Sequence, residues 1–361
     1  MIPLCRHFGI CGGCTFQDMS PDAYRAMKRA EVGKALAIHG VEAPIGDLLE
    51  TAPAKRRRTA LRAVKDGDEV RIGFNGLRSH AVVDMHECFV LTPALLALVQ
   101  ELRALLRRLL KSGERAEIAA TETDSGFDLL LDFPRGHSAR DTAVLAQWAD
   151  ARKIARISLN GDVVVQFAGP AIRVGAAEVA LPNHAFLQPS REGEQILQAA
   201  VLEIVQGARR VADLFAGCGT FALLLALRAR VHAVDQDAEA LDALAKAAGK
   251  TGGLKPVTSE VRDLFKRPLR PEELNGFDAV VIDPPRAGAH AQVRLLAQSR
   301  VRRIAYVSCN PDTFGRDAAI LTKGGFHLTG VRPVDQFLWS KHIELVGEFE
   351  RKPGWSQRRK N

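Results

Sequence analysis

The sequence predicts an α/β chain, with a C-terminal doubly wound parallel sheet preceded by an N-terminal α+β region that carries a cysteine-ligated metal site. Three observations carry this reading. From about residue 190, short apolar runs alternate with stretches of helical spacing, the rhythm of a parallel sheet flanked by helices. Between about 56 and 185, β-like runs recur with one amphipathic helix among them, which reads as a mixed, mostly antiparallel region. Cys5, Cys11 and Cys14 fall close together, a clustering that points to metal ligation.

Each element follows from local pattern. Residues 1–20 are rich in Cys and Gly and lack periodicity, so they read as a loop held by ligands. From Pro21 to His39 the apolar spacing is helical, with Ser20 as N-cap and Gly40 as the stop. Strands are predicted at Glu69–Phe74, Asp128–Asp132, Arg156–Leu159 and Asp162–Gln166, with a helix at Pro93–Lys111. The second region begins with a helix at Glu192–Val205 and the strand Arg210–Phe215. A Gly-rich turn, a helix, the strand Val231–Val234 and a helix at Ala238–Ala248 follow. Further strands are predicted at Phe277–Ile282, Arg303–Ser308, 326–334 and 342–349. The expected organisation is an α+β region over 1–185, whose 21–40 helix packs on the C-terminal domain. That domain spans 186–350, and a basic tail spans 351–361.

The 361 residues are 47% apolar and 25% charged, which excludes a disordered, collagen-like or disulfide-scaffold chain. No uncharged apolar run reaches the roughly 18 residues of a membrane span, and the start Met1-Ile-Pro-Leu-Cys-Arg-His7 lacks a signal-peptide stretch. A cytoplasmic protein without membrane association or obligate protein partner is expected. The net charge of +8 is clustered at Lys55-Arg56-Arg57-Arg58 with Arg62, and again at Arg351, Lys352, Arg358, Arg359 and Lys360. Arginine clusters suit bidentate phosphate contact, although a solvated basic face has the same composition.

Asp213-Leu-Phe-Ala-Gly-Cys-Gly-Thr-Phe221 joins the first strand of the second region to its helix. Gly217 and Gly219 permit a tight turn and close backbone approach to a ligand at the helix N-terminus. No Gly-Lys-Ser/Thr follows, so a P-loop is excluded. Asp235 ends the next strand, where a carboxylate accepts both ribose hydroxyls of an adenosine cofactor. With Asp283-Pro-Pro-Arg286 after a later strand, this set resembles the class I (Rossmann-like) S-adenosylmethionine methyltransferases. Amino-group methyltransferases with a similar tetrapeptide end it in an aromatic residue that stacks a flipped base; Arg286 stands there and argues against amine methylation.

Tyr306-Val-Ser-Cys-Asn-Pro311 puts Cys309 at the C-terminal end of another sheet strand, just before a helix. A helix N-terminus lowers a thiol pKa and favours thiolate. Methylation of uracil C5 needs a thiolate: sulfur adds at C6, C5 becomes nucleophilic, and a base then removes the C5 proton. Here the chain resembles, over nearly its whole length, the RNA uracil-5 methyltransferase family. The resemblance implies that Cys309 is the nucleophile and that Glu344, in His342-Ile-Glu344, is the proton-abstracting base. It implies S-adenosylmethionine contacts at Gln188, Phe215, Thr220 (where Asn is common), Asp235, Asp263 and Asp283. RNA is then the partner, with a target base flipped from its stack, and Phe186 either holds that base or packs in the core. Cytosine-5 methyltransferases carry Pro-Cys where Asp283-Pro-Pro-Arg286 lies, so uracil is favoured over cytosine.

Cys5, Cys11 and Cys14, with Cys88 in His86-Glu-Cys-Phe89, offer four thiolates that fit tetrahedral zinc or an iron–sulfur cluster, and spacing alone does not choose. A subset of the family carries this arrangement as ligands of a [4Fe–4S] cluster, so the resemblance implies iron–sulfur with a structural role. Many 23S rRNA members begin with a small β-barrel before the cysteines; here Cys5 is almost at the start, so that barrel is expected to be absent. RNA affinity then falls to residues 50–185, where Arg56–Arg58 and Arg62 lie. The cysteine arrangement goes with rRNA members, which favours 23S rRNA over tRNA. Cys218 is assigned no chemistry. The alternatives are cytosine-5 methylation, or a catalytically silent RNA-binding iron–sulfur protein.

Overall fold

Helix α1 (Pro21–Ile38) starts where the sequence signals it: Ser20 Oγ accepts the Ala23 N–H at 3.3 Å and Pro21 fills the first turn. The computed structural model describes residues 2–351, so the basic tail beyond Arg351 lies outside the described residues. A two-residue strand, β1 (Leu49–Glu50), follows.

An N-terminal six-stranded sheet comes next, from β2 (Arg58–Asp66), β3 (Glu69–Gly73), β4 (Arg115–Thr123), β5 (Gly126–Asp132), β6 (Ile154–Leu159) and β7 (Asp162–Gln166) in the order β3-β2-β4-β5-β6-β7. Its pairs are antiparallel except β5 with β6, which run parallel. Helix α2 (Pro93–Leu109) buries Leu95, Leu98, Val99, Leu102, Leu105, Leu106 and Leu109, a stripe of i, i+3, i+4 spacing that forms the core under this sheet. A second helix, α3 (Ala139–Asp150), makes the β5–β6 connection a crossover, which is why that pair is parallel. Its one clear signal is the Ser138/Asp141 capping box, with Asp141 replacing the usual Glu or Gln; pattern reading passed over it.

A small hairpin, β8 (Ala171–Val174) and β9 (Ala177–Ala180), leads to α4 (Arg191–Ile204) and β10 (Arg210–Leu214). Then come α5 (Ala222–Leu225), β11 (Arg230–Asp235), α6 (Ala238–Lys250), β12 (Val257–Val261), α7 (Pro271–Leu274) and β13 (Ala279–Ile282). The chain continues through α8 (His290–Leu296), β14 (Arg303–Ser308), α9 (Pro311–Lys323), β15 (Phe326–Asp335) and β16 (Glu344–Arg351). Eight strands form one sheet, β1-β15-β16-β14-β13-β10-β11-β12, parallel except around β16, which runs antiparallel to both neighbours. Strand order reverses at β10, with β11 on one side and β13 on the other, so a crevice opens beyond their C-terminal ends. Helix α1 packs on α9 and contributes Tyr24, Val32 and Leu36 to the core of this sheet. Among the described residues no helix is long and apolar enough to cross a membrane.

The expected cysteine-ligated cluster is not found, and that part of the fold reading is corrected. Cys5, Cys11, Cys14 and Cys88 line one pocket with Phe8, Phe74, Val83 and Arg56. Yet among the described residues no group of three or more His, Cys, Asp or Glu side chains is placed to hold a metal ion. Without a metal, burial pushes the Cys5 and Cys11 thiols up and Cys14 up to about 12. The cysteines line a pocket they share with apolar side chains and with Arg56 and Glu87, and no metal or iron–sulfur site is found there among the described residues.

Within the basic cluster at 55–58, Arg57 and Arg58 turn inward. Arg57 is buried, pairs with buried Glu194 at 2.6 Å and donates to the Gln188 carbonyl at 3.2 Å. Arg58 reaches the Leu187 carbonyl and lies over the Phe186 ring, 5.1 Å from its centroid. Two residues read as phosphate contacts therefore brace the 186–188 segment. Arg57→Ala strands the Glu194 charge in the interior, and a loss of about 3–5 kcal/mol is expected. Urea unfolding checks this, and a loss under about 1 kcal/mol contradicts the bracing role.

Candidate active site

The crevice beyond β10 and β13 is built by short-range geometry. The Phe215 N–H donates to the Val234 carbonyl at 2.9 Å while its backbone takes φ +62°, turning the chain sharply out of β10. Gly217, at φ +51°, donates its N–H to Asp235 Oδ2 at 2.8 Å, and Asp237 N–H holds Oδ1 at 2.9 Å. A Cβ built on Gly217 meets nothing within 4 Å, so the loop faces open space. The Phe215 ring tilts against half-exposed Phe265, centroids 5.4 Å apart. Asp263 lies beside it, its Oδ1 accepting the Phe265 N–H at 2.9 Å. The Thr220 carbonyl accepts from Gln198 Nε2 at 3.0 Å.

A preorganised carboxylate at the end of β11, an aromatic wall and an open glycine turn fit an adenosine-bearing cofactor. Asp213, fully buried at the foot of this crevice, has no hydrogen-bond partner at normal geometry for either oxygen. Burial first, then the charges of Asp283 and Asp235, raise it well above the carboxylate range.

On the other side, register explains how Cys309 and Glu344 meet. Antiparallel β14 and β16 pair Ser308 with Leu345, so the next residues outward are Cys309 and Glu344. Asp283 follows parallel β13 immediately, and its neighbour Arg286 has Nη2 3.4 Å from His342 Nδ1. Gln188 is buried, and its Nε2 donates to Asp283 Oδ2 at 3.4 Å. The crevice thus gathers Cys309, Glu344, Asp283 and Gln188 at the C-terminal edge of the parallel strands. Sequence reasoning missed Gln336, whose Nε2 donates to Gln188 Oε1 at 2.8 Å; nothing local singled it out.

The electrostatics differ from the expectation of a helix-lowered thiol. Burial, then Glu344 and Asp283, push Cys309 up to about 11, with Arg286 pulling the other way. Burial and then the Asp283 charge push Glu344 up to about 8, and burial pushes Asp283 up to about 7. Desolvation outweighs the helix N-terminus because three acidic groups share one poorly hydrated cleft. Cys218 is buried and pushed to about 12, consistent with a packing role.

These shifts carry a stability consequence. A carboxyl whose folded pKa exceeds its unfolded one contributes stability at low pH that is lost as pH rises between the two values. For Glu344 that window runs from the ordinary value of 4.5 to about 8. Glu344→Gln removes the charge, so at pH 8 it should stabilise the fold by about 2 kcal/mol. At pH 5 the gain should nearly vanish. Calorimetric Tm values at the two pH values check this, and an equal shift at both contradicts it.

Comparison with known proteins fits this geometry. The tRNA (Uracil-5-)-methyltransferase family matches residues 258–352. An uncharacterized RNA methyltransferase of Rhizobium meliloti is 46% identical over 97% of this chain and 86% of its own length. The 23S rRNA (uracil(1939)-C(5))-methyltransferase of Salmonella paratyphi A is 30% identical over 97% of this chain and 82% of its own length. The tRNA (uracil-54, C5)-methyltransferase of Pyrococcus abyssi, solved with S-adenosyl-L-homocysteine, shares the fold with a TM-score of 0.74. It is 23% identical, over 94% of this chain and 84% of its own length. With these relatives spanning nearly its whole length, the chain belongs to the RNA uracil-5 methyltransferase family and is an enzyme that uses S-adenosylmethionine to methylate C5 of uracil in RNA.

Proposed function

We propose that the enzyme methylates a uridine of 23S rRNA through a covalent bond between Cys309 and C6 of the base, with Glu344 as the base that removes the C5 proton. The observation that carries this reading is the strand register that sets Cys309 against Glu344 beside Asp283. Cys309 reacts as its thiolate, its proton released to solvent beforehand; the sulfur bonds to C6, and the C5=C6 electron pair moves onto the ring as an enolate. S-adenosylmethionine, when bound, supplies a methyl group on a positively charged sulfur that C5 takes up. Glu344 then accepts the C5 proton, the C5=C6 bond reforms, and Cys309 leaves as thiolate. Phe215, Thr220, Asp235, Asp263, Asp283 and Gln188 are assigned to holding the cofactor, and the open Gly217 turn beside Asp235 supports that assignment.

The preference for 23S rRNA is supported by the relative of that description, matched along 97% of the chain. The neighbour described as a tRNA enzyme, at 23% identity, bears on the fold alone. The test is nucleoside mass spectrometry after incubation with S-adenosylmethionine and either unmodified 23S rRNA or unmodified tRNA. New 5-methyluridine in rRNA alone is expected. Methylation of tRNA alone overturns the substrate, and methyl on cytosine overturns the base.

A further inference from the structure

We infer that Gln336 is a positioning residue for the reaction: its amide ties Gln188 and Glu344 into one network and favours the charged form of the base. The inference rests on the reading of Glu344 as the proton acceptor. Gln336 follows the end of β15 and is 3% exposed. One N–H of its amide donates to Gln188 Oε1 at 2.8 Å. That bond commits Gln188 Oε1, so the Gln188 amide must turn its own N–H toward Asp283 Oδ2, where it is found at 3.4 Å. The same Gln336 amide also faces the Glu344 carboxylate and lowers its proton affinity. A hydrogen bond to the charged form of a carboxyl favours that form.

Two features outside the site keep this amide in place. Gly193, in the first turn of α4, is where the Gln336 side chain rests: a Cβ there would lie 2.6 Å from Gln336 Oε1 and 2.7 Å from its Cβ. Oε1 is buried against that turn with no hydrogen-bond partner, so the amide is held by its nitrogen side. The preceding residue, fully buried Asp335, is gripped by α1. The Tyr24 hydroxyl donates to its Oδ2, and Lys28 Nζ lies 3.4 Å from its Oδ1 while donating to the His342 carbonyl at 2.5 Å. Thr51 N–H and hydroxyl both donate to the Asp335 carbonyl at 3.1 Å. Helix α1 and the segment after β1 therefore fix the backbone from which Gln336 projects.

The groups that set the charge of Glu344 are few. Asp283 after β13 opposes it, Arg286 supports it, and the Cys309 thiol after β14 adjoins it. Glu194 of α4 is neutralised by Arg57, and Asp335 of β15 is countered by Lys28 of α1. Gln336 is the donor among them whose removal changes no formal charge.

The test is the pH dependence of single-turnover methyl transfer from S-adenosylmethionine to 23S rRNA by the full chain, between pH 6.5 and 9.5. Gln336→Met keeps the length and removes the donors. Its rate at pH 7 should fall about tenfold, with the ascending limb moved up by about one pH unit, so that most of the deficit disappears at pH 9. Gly193→Ala, which displaces an intact Gln336, should shift the limb in the same direction. Should Gln336→Met not fold, Gln336→Asn, which draws the amide back by one methylene, gives the same readout. A loss equal at every pH, or no loss, overturns the positioning role. Glu344→Gln separates the two readings: full activity in that variant defeats Glu344 as base, whereas its inactivity with an unshifted Gln336→Met profile defeats Gln336 alone.

Discussion

Replacing Cys309 by alanine should abolish methyl transfer, by about 10⁴-fold or more, while leaving the fold intact. The magnitude follows from the substrate: C5 of uracil is a poor nucleophile until a group adds at C6, and no other thiol is available to do so at the crevice edge. Cys218 is buried in the cofactor loop, and the remaining four cysteines line the pocket beside Phe74 and Arg56. The site tolerates the change because Cys309 lies just outside β14 and its side chain is only partly buried. Unaltered Tm with lost transfer of label from methyl-labelled cofactor to rRNA is the expected pair of results. Residual transfer within a factor of about ten of the wild type would remove Cys309 from the mechanism.

The second large effect is qualitatively different. In Glu344→Gln the thiolate can still add at C6 and C5 can still be methylated, but no base is positioned to take the C5 proton. Without that step the C–S bond does not break, so protein and RNA remain joined. Turnover should fall by about 10³–10⁴-fold, and a protein–RNA species that survives heat and detergent should accumulate to near one per enzyme. The double variant Cys309→Ala/Glu344→Gln should form none, since the joining atom is gone. If Glu344→Gln is inactive and accumulates nothing, Glu344 acts before the bond to C6 forms, and the base assignment fails.

Much of the positional information was local and hence readable. The turn 213–221, the acid that ends β11, Asp283-Pro-Pro-Arg286 and Ser308-Cys309-Asn310-Pro311 all sit at strand ends, where a few adjacent residues specify both the turn and its direction. Helices α1 and α2 announced themselves through caps and apolar spacing. Helix α3 did not, because its buried residues are sparse, chiefly Leu145, Trp148 and Ala149. The crossover it makes therefore went unseen, and with it the parallel pairing of β5 and β6.

Charge and cysteine counts were poorer guides, since neither states an environment. Arg57 reads as a surface cation and is instead buried against Glu194. Cys5, Cys11, Cys14 and Cys88 read as metal ligands, yet they line a pocket in which no metal-holding group is found among the described residues. The Cys309 thiol, expected to be lowered by its helix N-terminus, is raised first by burial and then by Glu344 and Asp283, which arrive from other strands.

By itself, then, the sequence determined which strand ends carry reactive groups, because strand, turn and cap signals act over a few residues. Only the tertiary structure decided which of those groups share a cleft and in what protonation state. Register across β14 and β16 brings residues 309 and 344 together, and packing of α1 and α4 around β15 seats Gln336 between Gln188 and Glu344. The physical reason is that proton affinity depends on desolvation and on charges arriving from distant parts of the chain, and no short window of sequence contains either.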